Sequence, residues 1–395
     1  MADPFVKDYL MTAGPTPLPP AVSQVMAHPI VYHRAPAFIE VYARVLERLR
    51  HVFGTSGDVL VFAVSGSGAM ESAVANLVRP GEPAVVASAG KFGERWAELC
   101  DAYGARTVHH EAGWGNKVEP ADLDRVLEGE RDAGVVFTTV SETSTGVVND
   151  VRELTEVVHR HGALMAVDAV SALGAVPVPQ DEWGVDVVVA GSQKALMSPP
   201  GLAFASPNEA ALERAGQAGG PGRYYFDWQR TAAGQRKDPP DSPFTPAVGL
   251  VTALDVALGL IEEEGLEQVY ERHRLLGRAA REAVRALELD LFGPEDENAN
   301  VVTAISLPET VDGAQVPKLM RDRFGVTIAG GQGKLKGRIA RIAHCGYFGA
   351  FDILTTISAF EMALRELGHD LELGTGVGAA QQVFLEAGVP VTAPA

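Results

Sequence analysis

The chain has 395 residues, 46% of them hydrophobic and 21% charged, which suits an ordinary globular protein long enough for two domains. A formal net charge of -18 argues against nucleic acid and anionic membrane as partners, and two cysteines leave no disulfide framework. The sequence contains no apolar run long enough to span a bilayer. Its opening Met1-Ala2-Asp3-Pro4 lacks the basic-then-apolar order of a secretion signal, so a cytoplasmic location is expected.

The first segment, Ala13-Gly14-Pro15-Thr16-Pro17-Leu18-Pro19-Pro20, reads as a stiff extended arm, because proline suits neither a helix interior nor an inner strand. Apolar positions at helical spacing predict a helix over 36–53. Strand-like runs over 59–64, 84–87, 106–110, 135–140, 163–167 and 185–190 then alternate with helical runs over 70–77, 94–103, 120–127 and 151–161, and a further strand is expected over 201–205. That alternation implies a mostly parallel sheet covered by helices, with ligands at the carboxyl ends of its strands. Residues 216–243, rich in Gly, Pro, Arg and aromatics, read as a long ordered loop. A long helical stretch over 248–287, broken near Gly265, leads to a smaller α+β region over 301–367 and a final helical segment over 379–387.

Lys194 is out of place on stability grounds. It follows the apolar run Val187-Val188-Val189-Ala190-Gly191, which reads as a strand buried on both faces. A lysine there either snorkels to the surface or is put to chemical use, since burial favours the neutral, nucleophilic amine. Asp168 closes the run Ala163–Val167 and points into the same crevice; alone it would read as a cap or turn residue. Ser65-Gly66-Ser67-Gly68-Ala69 follows an apolar strand and opens a helix, which makes it either a plain cap or a cradle for an anion. One cofactor accounts for all three features. Pyridoxal phosphate needs a lysine for a Schiff base, a carboxylate at its pyridine nitrogen and donors for its phosphate. Gly330-Gly331-Gln332-Gly333-Lys334 looks like a nucleotide loop, but Leu335 stands where a hydroxyl would be needed, so it reads as a flexible turn. The histidine pairs His109-His110 and His159/His161 lack metal-ligand spacing.

Ser-Gly-Ser-Gly-Ala, Glu142-Thr143-Ser144-Thr145-Gly146, Val167-Asp168 and Gly191-Ser192-Gln193-Lys194-Ala195-Leu196 occur in the order and spacing of class V aminotransferases. The chain resembles most closely the alanine–glyoxylate and serine–glyoxylate (serine–pyruvate) branch, from Gly14-Pro15 to about Leu367. The resemblance implies an α/β, fold type I transferase. It would have an arm over 1–20, a large pyridoxal-phosphate domain over 21–260, a small α+β domain over 261–372 and a tail over 373–395.

The resemblance also implies residue roles. Lys194 would be the Schiff-base lysine and proton shuttle, and Asp168 the partner of the pyridine nitrogen. Thr143 would bond the ring hydroxyl, and Ser67, Gly68, Ala69 and Gln193 would hold the phosphate. Phe92, where the family often has tryptophan, would stack on the ring or else simply pack in the core. Arg341 would grip the substrate α-carboxylate, with Gly14 and Pro15 nearby, while Arg338, an odd number of residues away on a strand, would face solvent. Ser242 and Thr245 would reach the phosphate of a second subunit in a homodimer with shared sites. His33-Arg34 is either a substrate contact or a surface pair, and Tyr224, Tyr225 and Asp227 receive no role. The implied reaction is ping-pong transfer, through pyridoxamine phosphate, from alanine or serine to glyoxylate or pyruvate. The alternatives are a sulfur-transfer lyase, for which Cys345 would have to be a reactive loop cysteine, and a non-catalytic partner protein on this fold.

Overall fold

The computed structural model describes residues 8–217, 222–388 and 390–394. Its centre is a seven-stranded sheet in the order Leu60–Phe62, Ala203–Pro207, Val187–Gly191, Leu164–Asp168, Val135–Thr139, Pro83–Ser88, Arg106–Glu111. The last five strands run parallel; Ala203–Pro207 is antiparallel to both its neighbours. The inner strands are continuous Val, Ala and Phe runs, as expected for strands covered on both faces. One apolar layer holds Phe38, Leu49, Phe53, Leu154, Val158 and Leu254 on one face, and another holds Met70, Val74, Trp96, Leu212 and Trp228 on the other.

The 248–287 stretch is two helices, Val248–Glu264 and Leu266–Ala286, broken at Gly265, whose φ of +85° suits glycine. Beyond the break lies a separate core, built on the antiparallel sheet Val302–Ser306, Ile339–Ala343, Ala329–Gly330 and on helices Leu266–Ala286 and Ala350–Glu366. The final helix, Thr375–Ala387, packs into that same core, with the amides of Gly374, Gly376 and Val377 on the Glu361 carboxylate.

Ahead of the proline-rich run, Tyr9–Leu10 pairs in parallel with Val326–Thr327. Two expectations need correction. The loop over 216–243 contains a helix, Trp228–Gln235, capped by the Asp227 carboxylate on the Arg230 amide; residues 218–221 lie outside the described ones. The glycine-rich turn at 330–335 is a tight one and not a flexible segment. It includes a short 3-10 turn, Gly333–Leu335, and a Cβ on Gly331 would sit 1.9 Å from the Leu335 carbonyl oxygen.

Candidate active site

The strands Val135–Thr139, Leu164–Asp168 and Val187–Gly191 end side by side, with Thr139 opposite Asp168 and Asp168 opposite Val189. Their carboxyl ends therefore deliver Asp168 and the turn carrying Gln193 and Lys194 to one crevice. Asp168 is buried and accepts the Val170 amide at 2.7 Å. Burial, the largest influence, pushes its carboxyl up to about 6; the Val170 bond, Lys194 and Arg95 pull it down, and Glu142 adds to the rise.

Lys194 forms no salt bridge among the described residues; its ammonium donates to the carbonyl of Ala13 in the arm. Burial pushes its pKa below the ordinary lysine range. Cys345 and Asp168 oppose that shift, and the charges of Arg341 and Arg95 reinforce it. The turn is clamped by the arm, because Thr16 donates its amide to Gln193 O at 3.2 Å and its hydroxyl to Lys194 O at 3.0 Å. Gly14, expected near Arg341, lies against Lys194 itself: a Cβ there would fall 2.4 Å from the lysine's Cδ, Cε and Nζ.

Ser67 sits in the first turn of helix Gly66–Leu77, whose N-cap Ser65 makes no side-chain bond. The amides of Gly68 and Ala69 turn back onto Ser65 O at 2.8 and 3.2 Å, which leaves those of Gly66 and Ser67 without an acceptor among the described residues. The Gln193 Oε1 is buried without a partner. The two free amides at the helix N-terminus, with the Ser67 hydroxyl beside them, fit a phosphate, whereas the Gln193 oxygen is an acceptor that a phosphate oxygen cannot satisfy.

Thr143 is held by a turn that the sequence did not single out for its glutamate. Glu142 is fully buried, and its Oε1 accepts the Ser144 amide (3.1 Å) and hydroxyl (2.5 Å). Its Oε2 accepts the amides of Phe92 (3.0 Å) and Gly93 (2.9 Å), so it caps helix Lys91–Ala102 at the end where a negative charge is favoured. Gly90 allows this approach, since a Cβ would meet Ser144 Oγ at 2.5 Å and Glu142 Cγ at 2.6 Å. Burial raises the Glu142 pKa and these four bonds oppose the rise. One carboxylate thus joins the Thr143 turn to the helix carrying Phe92, which is half-buried and belongs to none of the apolar cores.

Arg341 lies at the centre of the small sheet, opposite Ala304 on one side and Ala329 on the other. Those small neighbours let its side chain cross the sheet face to the Thr143 turn. Nη1 donates to Thr143 O at 2.6 Å, while Nε and Nη2 donate to Gly330 O at 3.0 and 2.8 Å. Two of its five N–H donors remain for a ligand. Its exposure is 6%, and burial lowers its pKa while Glu142 raises it. Arg338 precedes the strand and is exposed.

Other expected residues are not brought to this group within one chain. Ser242 lines a separate cleft of about 480 Å³ with His33, Arg34 and Tyr42, and Thr245 is exposed beside it. Tyr224 and Tyr225 pack on Phe244, with Arg230 over the rings, and both tyrosines are exposed. Cys345 is fully buried and its thiol is pushed up to about 11, chiefly by burial, which is the reverse of a reactive loop cysteine. His159 pairs with Asp186 and His161 with Asp124.

The model of the family described as "Aminotransferase class-V" matches residues 8–340. The chain is 43% identical to a Synechococcus protein named soluble hydrogenase, small subunit, over 96% of this chain and 98% of that one. It is 34% identical to the serine–glyoxylate aminotransferase of Methylorubrum extorquens, with 96% of each chain covered. The crystal structure of ureidoglycine–glyoxylate aminotransferase from Bacillus subtilis matches with a TM-score of 0.91 at 29% identity, over 98% of this chain and 100% of that one.

Proposed function

Since the chain belongs to the class-V aminotransferase family, and is a pyridoxal-phosphate-dependent aminotransferase, we propose that it moves an amino group from alanine or serine to glyoxylate or pyruvate. Transfer would proceed in two half-reactions that share one site. The observation that carries this reading is Arg341. It is a nearly buried guanidinium that no carboxylate neutralises by a salt bridge among the described residues, and it holds two uncommitted donors beside the Thr143 turn. A planar fork of that kind suits a substrate α-carboxylate.

Bound pyridoxal phosphate supplies the electron sink that makes the substrate Cα proton removable. Lys194, whose surroundings favour the neutral amine, would take the proton from the donor's Cα and, in the second half-reaction, deliver one to the Cα of the acceptor. Asp168 holds its carboxylate where the pyridine nitrogen would be bonded. The Ser67 hydroxyl, the free amides of Gly66 and Ser67 and the Gln193 amide group would hold the phosphate, Thr143 would meet the ring hydroxyl, and Phe92 would stack on the ring. The arm residues Gly14 and Pro15 border the substrate, with Gly14 keeping space for the lysine.

Glyoxylate in the names of the Methylorubrum and Bacillus proteins supports a small acceptor. The hydrogenase name of the Synechococcus protein has no matching donor set here: both cysteines are buried in different cores, and among the described residues no group of three His, Cys, Asp or Glu could hold a metal. Buried Cys345 likewise speaks against the sulfur-transfer alternative. The separate position of Ser242 and Thr245 supports a symmetric dimer in which they serve the partner's phosphate.

Alanine, serine, aspartate and glutamate, each offered with glyoxylate, pyruvate or 2-oxoglutarate, test the substrate assignment. Alanine or serine with glyoxylate or pyruvate is expected to turn over fastest. A strict requirement for aspartate or 2-oxoglutarate would contradict it. A solution mass of one chain in the cofactor-loaded protein would contradict the dimer.

A further inference from the structure

Helix Lys91–Ala102 is anchored on its inner face by Trp96, which stacks on Phe137 with ring centroids 4.8 Å apart and donates its indole N–H to Thr138 O at 3.0 Å. That anchor fixes the rotation of the helix, and with it the direction of Phe92 and Arg95, which are three residues apart on one face. The Arg95 Nη1 donates to Ser67 Oγ at 3.0 Å, and its guanidinium carbon stands 5.1 Å from the centre of the Phe92 ring. Arg95 forms no salt bridge among the described residues, unlike most arginines of this strongly acidic chain. An unneutralised guanidinium beside a helix N-terminus with two free amides adds the full positive charge that those neutral donors lack.

A serine hydroxyl has one proton. When Ser67 Oγ accepts from Arg95, that proton is free to point away from the arginine, toward the mouth of the helix. We propose that Arg95 is a positioning residue of the cofactor-phosphate site: it orients the Ser67 hydroxyl as a donor to the phosphate and holds the Phe92 ring in place. The proposal rests on the assignment of Ser67 to the phosphate made above. The sequence gives no hint of it, because only the fold brings half-buried Arg95 to Ser67, 28 residues away.

The test compares pyridoxal phosphate with pyridoxal, which lacks the phosphate, binding to cofactor-stripped full-length protein. Dissociation constants are read from the absorbance of the bound ligand for wild type, Arg95→Gln, Arg95→Lys, Ser67→Ala and the Ser67→Ala/Arg95→Gln double variant. The ratio of the two constants isolates the phosphate's contribution. Arg95→Gln is expected to lower that ratio about tenfold, and Arg95→Lys to restore part of it. In the Ser67→Ala background the same glutamine substitution is expected to have little further effect. An unchanged ratio in both Arg95 variants, with Ser67→Ala still reducing it, would overturn the role of Arg95. An undiminished Arg95→Gln effect in the Ser67→Ala background would overturn its action through Ser67. A wild-type ratio in Ser67→Ala would instead overturn the assignment of Ser67. If Arg95→Gln fails to fold, Arg95→Lys decides by the same ratio.

Discussion

Gly14→Ala adds one methyl group, and the structure says where it goes. The new Cβ would lie 2.4 Å from three atoms of the Lys194 side chain, against the roughly 3.5–4.0 Å of ordinary carbon contacts. The lysine would have to retreat by more than about 1 Å. Because it is a flexible chain end, the clash itself costs little stability. The backbone adds a second cost: Gly14 has a φ of +122°, a conformation that costs a non-glycine residue about 1–3 kcal/mol. The larger effect falls on chemistry, since a misplacement of about 1 Å at a reacting group costs on the order of 100-fold in rate. Gly14→Ala is therefore expected to lower kcat for alanine with glyoxylate about 100-fold. Its melting temperature should fall by only a few degrees, and cofactor should still be retained through the phosphate donors. Turnover, thermal melting and cofactor content measured on one preparation separate the two costs. Wild-type turnover in a folded, loaded Gly14→Ala variant would refute the argument that the arm sets the position of Lys194.

Two further outcomes follow from the same geometry. Arg341→Lys keeps a charge but loses the planar fork, so kcat/KM for alanine should fall about 100-fold or more, with cofactor affinity unchanged; an unaltered KM and kcat would contradict the carboxylate role. His273 and His344 are fully buried, and burial holds His344 down to about 3 and His273 well below the ordinary 6.5. Each folded form binds fewer protons than the unfolded chain below about 6.5, for His344 down to about 3, so the stability they allow is complete above 6.5 and declines as pH falls below it. Each contributes a slope of up to about 1.4 kcal/mol per pH unit. Asp168, raised from 3.8 to about 6, and Glu142, raised by burial from 4.5, act in the opposite sense and offset part of that loss in the cofactor-free protein, so the histidine share is read as the difference between wild type and His344→Gln. In denaturant melts from pH 7.5 to 5, His344→Gln should lose less stability than wild type as pH falls; identical pH dependence in the two would contradict the role of His344.

Lys194 and Asp168 were legible in the sequence because charged residues closing apolar runs have no packing reason to be there. The sheet was legible for the same reason in reverse, since Val-rich runs such as Val187–Gly191 admit few other placements. The helix Trp228–Gln235 was missed behind its Gly, Pro and aromatic flanks, although Asp227 as cap and buried Trp228, Thr231, Ala232 and Gln235 follow helical spacing. Glu142 and Arg95 could not be found from local pattern, because the partners that give them meaning, Phe92 and Ser67, are 50 and 28 residues away. Gly14 was expected near Arg341, and its contact with Lys194 could not be read from the sequence because it depends on how Thr16 docks on the 193–194 turn.

The central claim is that Lys194 carries the proton at the substrate Cα. Exchange of the alanine Cα proton with solvent deuterium, followed by NMR in cofactor-loaded wild type and Lys194→Ala, tests it most directly. Rapid exchange is expected in wild type, and its near-complete loss in a folded, cofactor-containing variant. Exchange at the wild-type rate in Lys194→Ala would contradict it.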